Sequence, residues 1–71
     1  MKEFEGVICR NKAEMKMLAS LAEKKGYKVC WKLFNKPRYK NLIFYVNEFY
    51  DAAEYAIKFP ISKEEFISRM G

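Results

Sequence analysis

The sequence predicts a small α+β fold. Three observations carry this. Residues 12–25 are strong helix formers with apolar side chains at helical spacing, and they lie between two strand-like segments. Leu42, Ile43, Phe44, Tyr45 and Val46 form a run that is apolar on both faces, as a central strand requires. Ser62 and Glu65 stand at capping-box spacing ahead of a short apolar-periodic segment.

Taken in order, residues 3–9 read as a first strand, weakened by Gly6. Asn11 is an N-cap with Glu14 three residues on. The helix that follows over 12–25 turns Met17, Leu18, Leu21 and Ala22 inward, with Met15 and Ala19 at the edge of that face. Gly26 falls at the left-handed C′ position, behind Lys24 and Lys25. Residues 27–34 alternate polar and apolar and read as a second strand. Asn35, Lys36, Pro37 and Arg38 form a turn, and a third strand runs from Tyr39 to Val46. Asn47 reads as the cap of a second helix over 48–58, ended by Pro60. Ile61 and Phe66 bracket the Ser62 cap as a hydrophobic staple, opening a third helix over 63–70.

The expected order is therefore β-α-β-β-α-α over residues 1–71, one compact domain without linkers or repeats. The long helix suits a parallel crossover, and the apolar third strand belongs at the centre. That gives a three-stranded sheet of order 2-3-1, a split βαβ unit with helices packed on it. This order is similar to the first three strands of a ferredoxin-like fold, a likeness of topology that carries no functional motif.

Seventy-one residues make a small core, which a 17% aromatic content partly offsets. The longest apolar run is five residues, too short for a transmembrane helix, and residues 1–5 lack the apolar stretch of a signal peptide. A cytoplasmic chain is the expectation. There is no His, so the commonest general base and neutral metal ligand are missing. Ser20, Ser62 and Ser68 sit in no nucleophile elbow, and the three glycines are too scattered to cradle a phosphate. The expectation is a non-enzymatic chain with no cofactor and no metal. Cys9 and Cys30 read as small buried hydrophobes of a reducing compartment. A cross-strand disulfide between them would need Cα atoms within about 7 Å.

Charge is the main functional signal. Residues 27–47 hold Lys28, Lys32, Lys36, Arg38 and Lys40 and no acid, a net +5 that equals the charge of the whole chain. If Phe34 pairs with Tyr39, one face of the hairpin carries Val29, Trp31, Leu33, Leu42 and Phe44 as core. The other face carries Lys28, Cys30, Lys32, Phe34, Tyr39, Asn41, Ile43 and Tyr45. Lysines neutralise phosphates and rings stack on bases. The expected site is thus Lys28, Lys32, Phe34, Lys36, Arg38, Tyr39, Lys40 and Tyr45, binding single-stranded DNA, RNA or duplex DNA with weak sequence specificity. The competing plain readings are solvated edge lysines and rings buried beneath the last two helices.

The alternative function is a protein-interaction module: a small inhibitor, adaptor or regulatory protein of the kind viruses and mobile elements encode. Its interface would be the basic face against an acidic partner, or the second helix around Phe49, Tyr50 and Tyr55. Exposed rings on the basic sheet face favour nucleic acid, and exposed rings on the last two helices favour protein. A membrane-surface role is disfavoured, because the first helix has no aromatic residue to insert. Pairing of the open sheet edge with a second copy, a homodimer, stays open.

Overall fold

A computed structural model describes residues 4–34 and 38–71. It shows two helices and a mixed five-stranded sheet. The expected α+β class is seen, but the sheet has five strands rather than three. The elements are β1 (Gly6–Val7), α1 (Lys12–Lys24), β2 (Lys28–Val29), β3 (Asn41–Tyr45), β4 (Glu48–Ala52), β5 (Pro60–Ile61) and α2 (Lys63–Met70). The spatial order is β2-β4-β3-β1-β5, not 2-3-1. β3 is central and β1 lies beside it, as the sequence suggests.

The departure starts at Val46 and Asn47. Both have positive φ, 49° and 66°, and Tyr45 pairs with Glu48 across them. This is a two-residue hairpin loop with the left-handed backbone that matches strand twist. Asn47 therefore turns the chain into β4 instead of capping a helix over 48–58. Phe49 and Asp51 point to one face of β4, and Tyr50 and Ala52 to the other. β4 fills the place beside β3 that was expected for residues 27–34. β2 pairs in parallel with the far side of β4, through Lys28↔Glu48 and Val29↔Phe49. The β2–β3 hairpin and its Phe34↔Tyr39 register do not occur. Past Cys30, whose N–H donates to the Phe49 carbonyl at 2.8 Å, the chain coils into a 3₁₀ turn over Trp31–Leu33. Of the expected turn at 35–38, only Arg38 lies within the described residues, as does all but Glu3 of the expected first strand.

Both helices pack on the face that carries Val7, Leu42, Phe44 and Phe49. Asn11 caps α1, its Oδ1 accepting from the Glu14 N–H at 2.9 Å. The Glu14 carboxylate reaches back to the Arg10 N–H, one residue before the cap. Met15, Leu18, Ala19 and Ala22 are buried, an i, i+3, i+4, i+7 stripe. This is rotated from the expected one: Met17 is half exposed and Leu21 only partly buried. Two alanines at the contact let α1 lie close to the sheet, which bulkier side chains would prevent. Gly26, at φ 96°, ends the helix, and the Tyr27 and Gly26 N–H groups close onto the Ala22 and Glu23 carbonyls. Ser62 caps α2 by accepting from the Glu65 N–H, and Ile61 and Phe66 both join the core.

The centre of that core is aromatic. Phe49 meets Phe44 at 4.8 Å, Tyr27 at 5.6 Å and Phe66 at 5.8 Å between ring centroids, and Phe4 closes the group. Asp51 is buried beside it and forms an ion pair with Lys12 in the first turn of α1. A buried carboxylate is tolerated only with such a partner.

β4 and β5 run parallel, so residues 53–59 cross over β3 and β1. They do so on the face opposite the helices, where Ile57 packs on Ile43 and Ala52. α1 and this strap cross the sheet in opposite directions on opposite faces, which gives both crossovers the same hand. Three strand spacings are about 14 Å, and seven extended residues would reach about 23 Å, so the strap has length enough to coil into a 3₁₀ turn over Glu54–Ala56 on its way. It lies on Gly6. A Cβ there would stand 2.5 Å from the Leu42 carbonyl oxygen and 3.0 Å from Ile57 Cδ1, so close approach is what the glycine permits.

Val46 is 70% exposed and β-branched, and its left-handed backbone is a stored cost. Val46→Asn is expected to raise stability by about 1 kcal/mol. The readout is a higher urea midpoint with an unchanged slope. No gain would mean that the hairpin turn is not formed as described.

Candidate nucleic-acid interface on the open sheet face

The face of the sheet away from α1 and α2 carries the side chains of Ile43, Tyr45, Glu48, Tyr50 and Ala52. The strap covers only part of it. Between the strap and the 31–33 turn lies an open groove of about 350 Å³. Its floor is Ile43, Tyr50 and Ala52. Lys32, Leu33 and Tyr39 form one side, and Ala53, Tyr55 and Ala56 of the strap form the other. Asp51 borders it, but its side chain is wholly buried toward Lys12. Arg38, Lys40 and Glu54 stand at an adjoining opening, which shares Tyr39 and Tyr55 with the groove.

The expected site residues separate into groups. Lys32 and Tyr39 meet in the groove, and Arg38 and Lys40 stand at its mouth. Lys28 and Tyr45 lie at the other end of the sheet face, where Lys28 Nζ pairs with a Glu48 oxygen at 3.3 Å. Phe34 is not on this face. It is buried in the helix-side core, its ring 5.0 Å from that of Trp31. Lys36 lies outside the described residues. Trp31, expected inside, is 39% exposed, and its indole N–H donates to Glu23 of α1 at 2.9 Å. Leu33 is exposed too. Once residues 27–34 stop being a strand after Val29, their alternation no longer sorts side chains between faces.

Tyr50 and Tyr55 line the groove, although the sequence alone puts both on a helix. The signal for Tyr50 is the alternation of Phe49, Tyr50, Asp51 and Ala52, masked by a charged residue at a core position. Nothing local marks Tyr55. Glu48 and Glu54 also join the face, so its charge is lower than that of residues 27–47 alone. Burial, chiefly, lifts the Tyr50 phenol above its ordinary value of 10.0.

The cysteines do not form a redox pair. Cys9 and Cys30 are free thiols on the segments following β1 and β2, which β3 and β4 separate. Burial pushes the Cys9 thiol up to about 11. The Cys30 thiol donates to Glu48 at 2.8 Å, and that bond, with burial, raises it above 9.0. The same bond and the Lys28 ammonium hold the Glu48 carboxyl below its ordinary 4.5. Among the described residues no three acidic or thiol side chains group as a metal site, and no helix is long and apolar enough to cross a membrane.

Comparison of the chain with protein-family models, with curated proteins and with solved structures finds no match.

Glu48→Gln removes the charge that holds the Cys30 proton. The midpoint of the pH–rate profile for Cys30 alkylation by iodoacetamide is expected to fall toward 9.0, with Cys9 unreactive in the native chain. An unchanged midpoint would show that Glu48 does not control the thiol.

Proposed function

We propose that this chain is a small, non-enzymatic nucleic-acid-binding module of weak sequence specificity, and that it binds through the open sheet face. The observation that carries the reading is the groove itself: Tyr39, Tyr50 and Tyr55 around one concavity, with Lys32 in its wall and Arg38 and Lys40 at its mouth. Rings stack on bases whatever their identity, and cations track the phosphates. Both helices pack on the opposite face, so neither competes for this one. Arg38 is the only guanidinium in the group, which limits bidentate reading of guanine. The reading shifts the contact surface from the expected hairpin to the strap side of the sheet. Phe34 drops out, Tyr50 and Tyr55 enter, and Lys28, already paired with Glu48, becomes peripheral.

A second reading, a protein-interaction module, has an observation of its own. Tyr45, Val46 and Phe59 are exposed large apolar residues, and Tyr45 and Val46 border a shallow depression with Phe4 and Ile43. Glu5 and Lys58 also line the depression, so that end of the molecule offers apolar contact with one charge of each sign beside it.

With three phosphates neutralised on a single strand, log K is expected to fall with log salt at a slope of about −2. Joint reversal of Lys32, Arg38 and Lys40 to Glu is expected to abolish binding to a mixed-sequence oligonucleotide. Binding that survives the triple reversal, or that ignores salt, contradicts the proposal. A stable protein partner recovered at moderate salt by a chain that binds no oligonucleotide would favour the second reading.

A further inference from the structure

We infer that the groove is a slot for an unpaired base, so that the ligand of this face is single-stranded nucleic acid rather than duplex. This rests on the nucleic-acid reading above and specifies its substrate. At about 350 Å³ the groove is near the small end of ligand clefts, which run from about 300 to 1,000 Å³. It holds something the size of a nucleobase and excludes a double helix. Its floor, Ile43 and Tyr50, and its walls, Leu33, Tyr39 and Tyr55, are largely apolar and ring-bearing. Such a lining recognises the flat face of a base, and in a duplex that face is hidden in the stack. A duplex shows only base edges, read by a helix or a β-ribbon entering the major groove. Neither is free here: both helices pack on the far side of the sheet, and the β3–β4 ribbon is flanked by β1 and β2 within it. Lys32 at the slot, and Arg38 and Lys40 beside it, suit the phosphates flanking an inserted base.

Tyr55 makes the slot testable. It stands on the 3₁₀ turn of the strap and is 88% exposed, so its ring can be removed without opening the core. The experiment titrates the full chain and its Tyr55→Ala and Tyr55→Phe variants with three labelled probes. These are a mixed-sequence single strand, its blunt duplex, and heparin as a bare polyanion. The single strand is expected to bind about tenfold more tightly than the duplex. Tyr55→Ala is expected to remove roughly that advantage, Tyr55→Phe to keep it, and heparin binding to be unmoved by either. Equal affinity for single strand and duplex overturns the base slot and leaves the nucleic-acid reading standing. So does a Tyr55→Ala variant that binds the single strand unchanged, with its thermal unfolding also unchanged. Binding of heparin alone, or of no probe, overturns both.

Discussion

The rest of the structure depends on the two-residue turn at Val46 and Asn47. Once those residues adopt left-handed backbone, the chain after β3 must fold straight back as a strand. β4 then occupies the position beside β3, and β2 is left to pair with the outer edge of β4. Because β4 ends far from the opposite edge, the chain must cross β3 and β1 to add β5. α1 already occupies one face, and the shared hand of the two crossovers sends the strap over the other. One turn thus decides which face is sealed by helices and which is left as a partly covered groove.

The buried ion pair of Lys12 and Asp51 reinforces this arrangement. Asp51 falls at an inward position of β4, among Leu42, Phe44 and Phe49, where a carboxylate is costly. Lys12 reaches it from the first turn of α1, so the pair fixes the start of the helix over β4. Removing either partner alone would strand a buried charge, which costs about 3–5 kcal/mol in comparable settings. Phe49 sits in the same strand with ring neighbours on all sides. Core packing and the buried charge therefore converge on β4, the segment whose local sequence reads as a helix.

That convergence explains what was legible. α1, its Asn11 cap, its Gly26 terminus, the α2 cap at Ser62 and the central placement of β3 were all readable, since each is set by local chemistry. β4 was not. Glu48, Asp51, Ala52, Ala53 and Glu54 after an asparagine imitate a capped helix, and Val46 is an unfavourable residue for the turn that is formed. The inward Asp51 hides the alternation, and its partner Lys12 is thirty-nine positions away. Without β4, residues 27–34 had only β3 to pair with, and that false register placed Trp31 inside and Phe34 outside. The basic character of residues 32–40 and the placement of Ile43 and Tyr45 on the helix-free face survive the correction. Tyr50 and Tyr55 reach the groove only through the true path of β4 and the strap.

The proposed functional surface is the strap side of the sheet. The most direct test is an NMR chemical-shift titration of the labelled chain with a short single-stranded oligonucleotide. Shifts concentrated at Lys32, Leu33, Arg38 to Ile43 and Tyr50 to Ala56, weakening with salt, are the predicted result. Shifts on α1 and α2 with the strap silent, or no shifts at low salt, would contradict it.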